Sequence, residues 1–395
     1  MSNKKKSRTL KPKKKTQSKS PSKSPSKSRS KTRSKTRSKI RSYSPTINNL
    51  LVSLRNTKAH DILHCKSNLT KNSLLNVNIG TKNKTRCVSY NNKQARKHLL
   101  KNLKASINLN CSKIIPPKQL FANCWFNTMF VAFFISDKGR KFFKFFRQLM
   151  IEGKQADGKK IPPTLAKSFF MFNMAIEAAY NLNDNTKHIA YNFDTNLLIK
   201  GIFDSINKKK IIEYSDIKAV NQPGNPMDYY LSIMNYLQNT AISLRFIEYN
   251  NDLILKTIKK YIGKISMSSE AISALDHVEY FANGIPHILA IDVMDDESKH
   301  ISDKEEVLTI HTKKYGVIKY KLDSIIIRDT LQQHFCALLM CNGVELSFDG
   351  ASYSRMEPFK WRKLINKNKT WGFKARHDLV WNFKDGYQIL LYYRI

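Results

Sequence analysis

The stretch HFCALLMCNGVELSFDG, residues 334–350, constrains this chain more than any other. Asn342-Gly343 is the dipeptide favoured by a two-residue type I′ turn, and the flanking runs suit paired strands. Such a turn sets Cys341 opposite Val344 and carries Asp349 to a position opposite Cys336. Side chains alternate along a strand, so His334 and Cys336 share a face. His334 and Asp349 then become diagonal neighbours, with Cβ atoms somewhat under about 7–8 Å apart. The turn chemistry predicts an imidazole within reach of a carboxylate. The same alternation turns Cys336 and Cys341 to opposite faces, so the two do not share a metal.

Around this hairpin the order is helices first, strands later. The segment IIPPKQ (114–119) breaks any helix and marks the start of the main folded domain, expected over 115–395. Cys124 to about Met150 reads as helical, and its apolar run from Met129 to Ile135 is core. TLAKSFFMFNMAIEAAYNL (164–182) is a second amphipathic helix. NPMDYYLSIMNYLQ (225–238) opens a third, with Asn225 as N-cap and Pro226 at the first helical position. Strand signals then accumulate in ISLRFIEY, HILAIDVM, GVIKYKLDSIIIRD, the hairpin itself and YQILLYYRI. This order predicts an α+β fold with an antiparallel sheet.

Charge divides the chain differently. The formal net charge is +39, yet residues 1–45 hold 18 Lys or Arg and no acid. Residues 46–115 hold 13 basic residues against Asp61 alone, which leaves a net of +9 for the rest. Residues 18–41 repeat with period four (SKSP, SKSP, SKSR, SKTR, SKTR, SKIR) and offer almost nothing apolar to bury. Residues 1–45 are therefore expected to be a disordered basic tail. Such a tail either keeps the protein in solution or binds nucleic acid or another polyanion through counterion release. A nuclear targeting signal and phosphorylation of the interleaved Ser and Thr fit the same residues. No aromatic interrupts the repeats, which argues against base stacking. Residues 46–114 read as a basic, partly helical arm. There His60 and His64 stand at i, i+4, a metal-ligating spacing on one helical face, but no further Cys/His pair at zinc spacing lies nearby.

The six cysteines form no CxxC, and no secretory signal precedes them, so free thiols in a reducing, intracellular setting are expected. The longest apolar stretch is shorter than the roughly 20 residues that a membrane helix needs. No cofactor, metal or membrane partner is expected.

Cys124 lies in QLFANCWFNTMFVAFF (119–134), where it is either a small buried hydrophobe or a nucleophile at a helix mouth. The thiolate is the reactive form, and a helix's first turn offers unpaired N–H groups and the positive end of the macrodipole. His334 would accept the thiol proton and later deliver it to a leaving amine. Asp349 would hold the ring in one tautomer. Gln119 would donate its side-chain N–H to a developing oxyanion, together with the backbone N–H of Cys124.

Cys124-Trp125-Phe126-Asn127-Thr128 resembles the cysteine box of the ubiquitin-specific proteases: Cys, aromatic, apolar, Asn, Ser or Thr, then an apolar helix. NPMDYYLSIMNYL is similar to that family's second helical box, and GIPHILAIDV to the strand before its histidine box. YKLDSIIIRDTLQQHFCALLMCNGVELSFDG followed by YQILLYYRI resembles the histidine box and the closing strand. The resemblance spans about residues 115–395. It implies a papain-like cysteine protease fold, with a helical thumb bearing Cys124, an antiparallel sheet palm bearing His334 and Asp349, and a cleft between them. It also implies cleavage after the terminal glycine of ubiquitin or a ubiquitin-like modifier. The sequence departs from the family pattern at five places. Gln119 replaces the usual oxyanion Asn, and Gln333 the usual Gly before the histidine. Tyr229 stands where the second box has an acid, Gly350 replaces a second Asp, and no zinc-bearing fingers are present. DVMDDESKHISDKEE (292–306) is the acidic candidate for receiving the basic tail of ubiquitin.

The compact size, the A/T-rich codon usage implied by Lys, Asn and Ile, and the basic tail suit a large DNA virus. That would locate the chain in the host cytoplasm, the nucleus or a virion. Two other readings stand beside the peptidase: an inactive pseudoenzyme that binds a modifier, and a nucleic-acid packaging protein with a structural C-terminal domain.

Overall fold

Pairing and packing begin upstream of the Pro116-Pro117 break. The computed structural model describes residues 63–64, 76–79, 86–105, 108–182, 187–207, 217–238, 244–248, 285–293, 303–312, 315–329, 333–374 and 376–395. The chain divides into two units, Met1–Tyr43 and Ser44–Ile395, and every described residue belongs to the second. The tail expected over 1–45 lies outside the described residues, as does His60. Strands β1 (Leu63–His64), β2 (Asn76–Asn78) and β3 (Cys87–Ser89) form a small antiparallel sheet. His64 is thus on a strand, not on the helical face that a His60/His64 metal pair requires. Helix α1 (Lys93–Lys104) follows, with Asn92 Oδ1 accepting from the Gln94 N–H at 2.8 Å. It buries Ala95, Leu99 and Leu103 and exposes Lys93, Lys97, Lys101 and Lys104. Its Arg96 Nη1 donates to the Glu152 carbonyl at 3.1 Å, which seats this basic region on the helical layer.

That layer starts with α2 (Cys124–Phe134), in which every residue after Cys124 is buried. The expected single helix to Met150 is instead three: α2, α3 (Asp137–Phe142) and α4 (Lys144–Glu152). Ser136 makes the first break. Its hydroxyl donates to the Ala132 carbonyl at 2.7 Å and accepts from the Gly139 N–H at 3.0 Å, ending one helix and capping the next. A Cβ on Gly139 would lie 2.1 Å from the Ala132 carbonyl oxygen, so only glycine permits this bend. Helices α5 (Pro163–Tyr180), α6 (Lys187–Asn192), α7 (Asn196–Asn207) and α8 (Pro226–Leu237) complete the layer. Asn225 caps α8 as its sequence predicts, with Oδ1 accepting from Met227 N at 2.8 Å and Asp228 N at 3.3 Å. The Tyr230 hydroxyl of α8 donates to the Phe126 carbonyl at 3.2 Å, tying α8 to α2 through an aromatic core. No described helix is long and apolar enough to cross a membrane.

The sheet comprises β4 (Leu244–Glu248), β5 (Ile288–Val293), β6 (Val307–Thr312), β7 (Gly316–Arg328), β8 (Phe335–Cys341), β9 (Val344–Phe348), β10 (Met356–Pro358) and a last strand, Gln388–Arg394. Between β10 and that last strand, β11 (Thr370–Phe373) and β12 (Arg376–Asn382) form a separate hairpin, so the last strand is β13. The order is β10-β9-β8-β7-β13-β5-β4, with β6 beside β7. Every pairing in it is antiparallel except β4 with β5, which is parallel. The β8–β9 register sets Cys341 opposite Val344 and Ala337 opposite Phe348, as the Asn-Gly turn predicts. The Asp137 carboxylate holds that turn, accepting from Asn342 N at 2.7 Å and Gly343 N at 3.0 Å. Both faces of the sheet are covered. Ile326, Ala337, Leu339 and Leu391 face the helices, while Ile325, Ile327, Leu338 and Leu390 face Trp361, Trp381 and Phe383. Double burial explains why these strands read as continuous apolar runs rather than alternating ones.

The cysteines depart from expectation. Cys111 and Cys341 form a disulfide across a sequence separation of 230, and Cys87 is disulfide-bonded as well. The expectation of free thiols throughout is therefore wrong. Spacing rules see cysteines a few residues apart, whereas Cys111 meets Cys341 only because β8 packs beside the segment that precedes α2.

Candidate active site

The loop that delivers Cys124 is held on several sides. Gln119 N donates to the Gly350 carbonyl at 2.8 Å, and Arg355 Nη1 donates to the Pro116 carbonyl at 2.8 Å. Asn123 Oδ1 accepts from Leu120 N at 3.1 Å, while its Nδ2 donates to Thr195 Oγ1 at 2.9 Å. The Thr195 hydroxyl donates to Asn127 Oδ1 at 2.7 Å, and Asn196 Nδ2 donates to the Leu120 carbonyl at 2.8 Å. Asn123, Asn127 and Thr195 are fully buried, so this polar chain is satisfied internally and rigid. One consequence falls on α2. The N-cap residue Asn123 spends its side chain on the loop, and no side chain caps the first-turn N–H groups that begin with Cys124.

His334 sits one residue before β8 and Asp349 one residue after β9. Their side chains meet, with Nε2 of His334 2.7 Å from Oδ1 of Asp349. The carboxylate is otherwise saturated: Ala351 N donates to Oδ1 at 3.0 Å and Ser352 Oγ to Oδ2 at 2.5 Å. On the backbone side, Asp329 brackets the histidine. Its Oδ1 accepts from His334 N at 2.6 Å, and its own N–H donates to the His334 carbonyl at 2.8 Å. The Trp381 ring lies 6.1 Å from the imidazole and walls it off from the far side of the sheet.

Electrostatics follow from these contacts. Burial disfavours the imidazolium, but the hydrogen bond to Asp349 and the proximity of Cys124 outweigh it and raise His334 to about 9. With Nε2 taken by Asp349, Nδ1 is the nitrogen left for the sulfur. Burial also disfavours the Asp349 carboxylate, yet the His334 contact and the Ser352 and Ala351 donors hold it below its usual value. Cys336, the other free cysteine among the described residues, is fully buried, and burial beside Asp349 and Asp329 pushes its thiol well up.

Gln119 stands next to this group with a different partner. Its Nε2 donates to the Phe121 carbonyl at 3.2 Å, and its Oε1 is buried without a hydrogen bond. An amide carries two N–H groups, so one donor remains. A Cβ on Gly350 would lie 3.1 Å from both the backbone N and the Cβ of Gln119, which accounts for glycine after Asp349. Gln333 adopts a left-handed φ of 55°, a conformation that costs glycine nothing and other residues more. Tyr229 is buried against Trp125 at 4.9 Å between ring centroids, and its hydroxyl has no hydrogen-bond partner. It is a core residue, and the acid that faces the cleft is its neighbour Asp228.

A cleft of about 470 Å³ opens beside Cys124, between the start of α2 and α8 on one side and the ends of β7, β8 and β13 on the other. None of the described residues of the acidic stretch 292–306 lines it. Of its acids, Asp303 pairs with Lys384 at 2.5 Å and Glu306 with Arg362 at 3.5 Å. Residues 294–302 lie outside the described residues.

Several of these contacts escaped sequence reasoning. The Asp349-Gly350-Ala351-Ser352 run has the composition of an Asx turn, a signal that points to Ser352 and the Ala351 N–H. Nothing local marks Thr195, Asn196, Asp329 or Trp381.

No known family model matches the chain, and no curated protein matches it. Three solved structures similar to it contain the SAGA DUB module of Ubp8, Sgf11, Sus1 and Sgf73. One is bound to monoubiquitin (10% identity, 73% of this chain and 71% of that chain, TM-score 0.41). Another is bound to ubiquitin aldehyde (10% identity, 73% and 71%, TM-score 0.38). A third, of the module itself, covers 89% of this chain and 95% of that chain at 9% identity and a TM-score of 0.39. Likeness at this level assigns neither a family nor an activity.

Proposed function

We propose that the chain is a thiol-dependent peptidase that cleaves after the C-terminal glycine of ubiquitin or a ubiquitin-like modifier. Cys124 is the nucleophile, His334 carries the proton and Asp349 orients it. The observation that carries the reading is a buried imidazole bonded to a carboxylate on one nitrogen and interacting with the Cys124 sulfur. The boxes around Cys124, Leu231 and His334, in family order, supply the substrate class.

In this reading the Cys124 thiolate attacks the carbonyl carbon of the scissile bond. Electron density moves onto the carbonyl oxygen, which the Cys124 backbone N–H and the free N–H of Gln119 stabilise. The imidazolium of His334 then gives its proton to the departing amine, and a thioester remains on Cys124. Water loses a proton to His334 as it attacks that thioester, releasing the glycine carboxylic acid, which ionises in solvent, and restoring the thiolate–imidazolium pair. Asp349 stays ionised throughout and stabilises the charged ring.

A ubiquitin bearing a C-terminal electrophile tests the reading. A covalent adduct on the wild-type chain, absent from Cys124→Ala, is expected. Binding without an adduct identifies a pseudoenzyme instead. Neither binding nor adduct, with tight salt-sensitive DNA binding, identifies a packaging protein.

The basic N-terminal region is proposed to tether this peptidase to nucleic acid or another polyanion. The four exposed lysines of α1, in a helix without a single acid, extend that basic character beyond residues 1–45.

A further inference from the structure

Among the described residues, the wall of the cleft beside Cys124 has a charge opposite to what the basic tail of ubiquitin needs. Arg328, at the end of β7, lines it together with Lys218. The guanidinium carbon of Arg328 lies 5.8 Å from the centroid of the Tyr387 ring. The Tyr387 hydroxyl accepts from Asn225 Nδ2 at 3.0 Å, which fixes that ring to the capping residue of α8. Arg328 N also donates to the Tyr387 carbonyl at 2.9 Å. The cation is therefore preorganised on an aromatic platform across the cleft, with its planar donor fork unspent.

Other arginines contrast with it. Arg140, Arg147, Arg362 and Arg376 each pair with a carboxylate: Asp137, Glu177, Glu306 and Asp378 respectively. Among the described residues no carboxylate bonds Arg328 or Lys218. The one acid among the described residues of the cleft wall, Asp228, lies in the first turn of α8, where the helix N-terminus already favours its negative charge. Two cations against one anion leave the described wall net positive, while the charge of a protonated His334 is offset by the Asp349 carboxylate.

We infer that Arg328 and Lys218 form a carboxylate-binding subsite, and that the peptidase selects a modifier or peptide with an acidic side chain close to its scissile glycine. This rests on the proposed peptidase reading and adds the sign of the substrate's charge. A carboxylate entering the cleft meets a forked donor held on the Tyr387 ring and can pair with two of its N–H groups at once. A basic side chain in the same position meets like charge, with Asp228 the one acid among the described lining residues to offset it, so the basic tail of ubiquitin is the poorer fit.

The test uses the full chain and three ubiquitin probes carrying a C-terminal electrophile, with the tail arginines intact, replaced by glutamine, or replaced by glutamate. Rates of adduct formation on Cys124 are compared at low salt. The glutamate-tailed probe is expected to react fastest and the arginine-tailed one slowest, with about a tenfold spread that added salt compresses. Arg328→Gln should flatten the order, and Arg328→Glu combined with Lys218→Glu should reverse it. Ratios between probes within one variant do not depend on how much of it is folded. If the arginine-tailed probe reacts fastest, or if the order survives both variants, the subsite is overturned while the peptidase stands. If no probe reacts with the wild-type chain, the peptidase reading falls and the subsite with it.

Discussion

Nε2 of His334 lies 2.7 Å from Oδ1 of Asp349, and Asp349 has no solvent exposure at all. A pair this buried acts through orientation, because the ring cannot turn without breaking a charge-assisted bond. His334→Ala is expected to slow adduct formation between Cys124 and a glycine-terminated electrophile by about 10²–10⁴-fold, the usual worth of a positioned proton carrier. The wild-type rate in that variant would remove His334 from the chemistry.

The same pair sets a dependence on pH. The folded protein raises His334 from 6.5 to about 9, so it holds the proton more tightly than the unfolded chain does. The stabilisation is complete below 6.5 and is lost as pH rises through 9. Urea midpoints for the wild type should therefore fall across that interval. Asp349→Asn, which removes the charge that supports the imidazolium, should show a shallower fall. Equal slopes in the two proteins would contradict the assignment.

Thiol chemistry should distinguish one cysteine. Cys111 and Cys341 are bonded to each other, Cys87 is bonded too, and Cys336 is fully buried with its thiol pushed well up. Cys124 alone among the described cysteines is both free and partly exposed. Brief treatment of the native protein with iodoacetamide, read by peptide mass, should modify Cys124 and leave Cys336 intact. Modification of both at similar rates would mean that β8 opens readily.

The Cys111–Cys341 bond joins the segment before α2 to the end of β8 across 230 residues of sequence. Closing so long a loop restricts the unfolded chain, with a typical stabilisation of about 2–4 kcal/mol. Replacing both cysteines by serine should lower the unfolding free energy by that amount under oxidising conditions. Under reducing conditions the wild type should match the variant. A double variant as stable as the oxidised wild type would show that the bond contributes nothing.

Local rules account for much of what is observed. An Asn-Gly turn dictates the β8–β9 register and with it the approach of His334 to Asp349. Asn225 and Pro226 dictate where α8 begins, and the all-apolar run after Cys124 dictates a buried helix. Each works over a few residues, through turn dihedrals, capping bonds or side-chain periodicity, and so can be read directly from the amino acids. The Cys111–Cys341 bond, the parallel β4–β5 pair, the Trp381 wall, the clasp of Asp329 on His334 and the Thr195–Asn127 link cannot. They join segments whose separation in the chain carries no information about their separation in space, or choose among partners that only packing makes available. Gln119 shows the limit most clearly. Its position five residues before Cys124 is evident in the one-letter string, but the bond of its backbone N–H to the Gly350 carbonyl joins positions far apart in the chain.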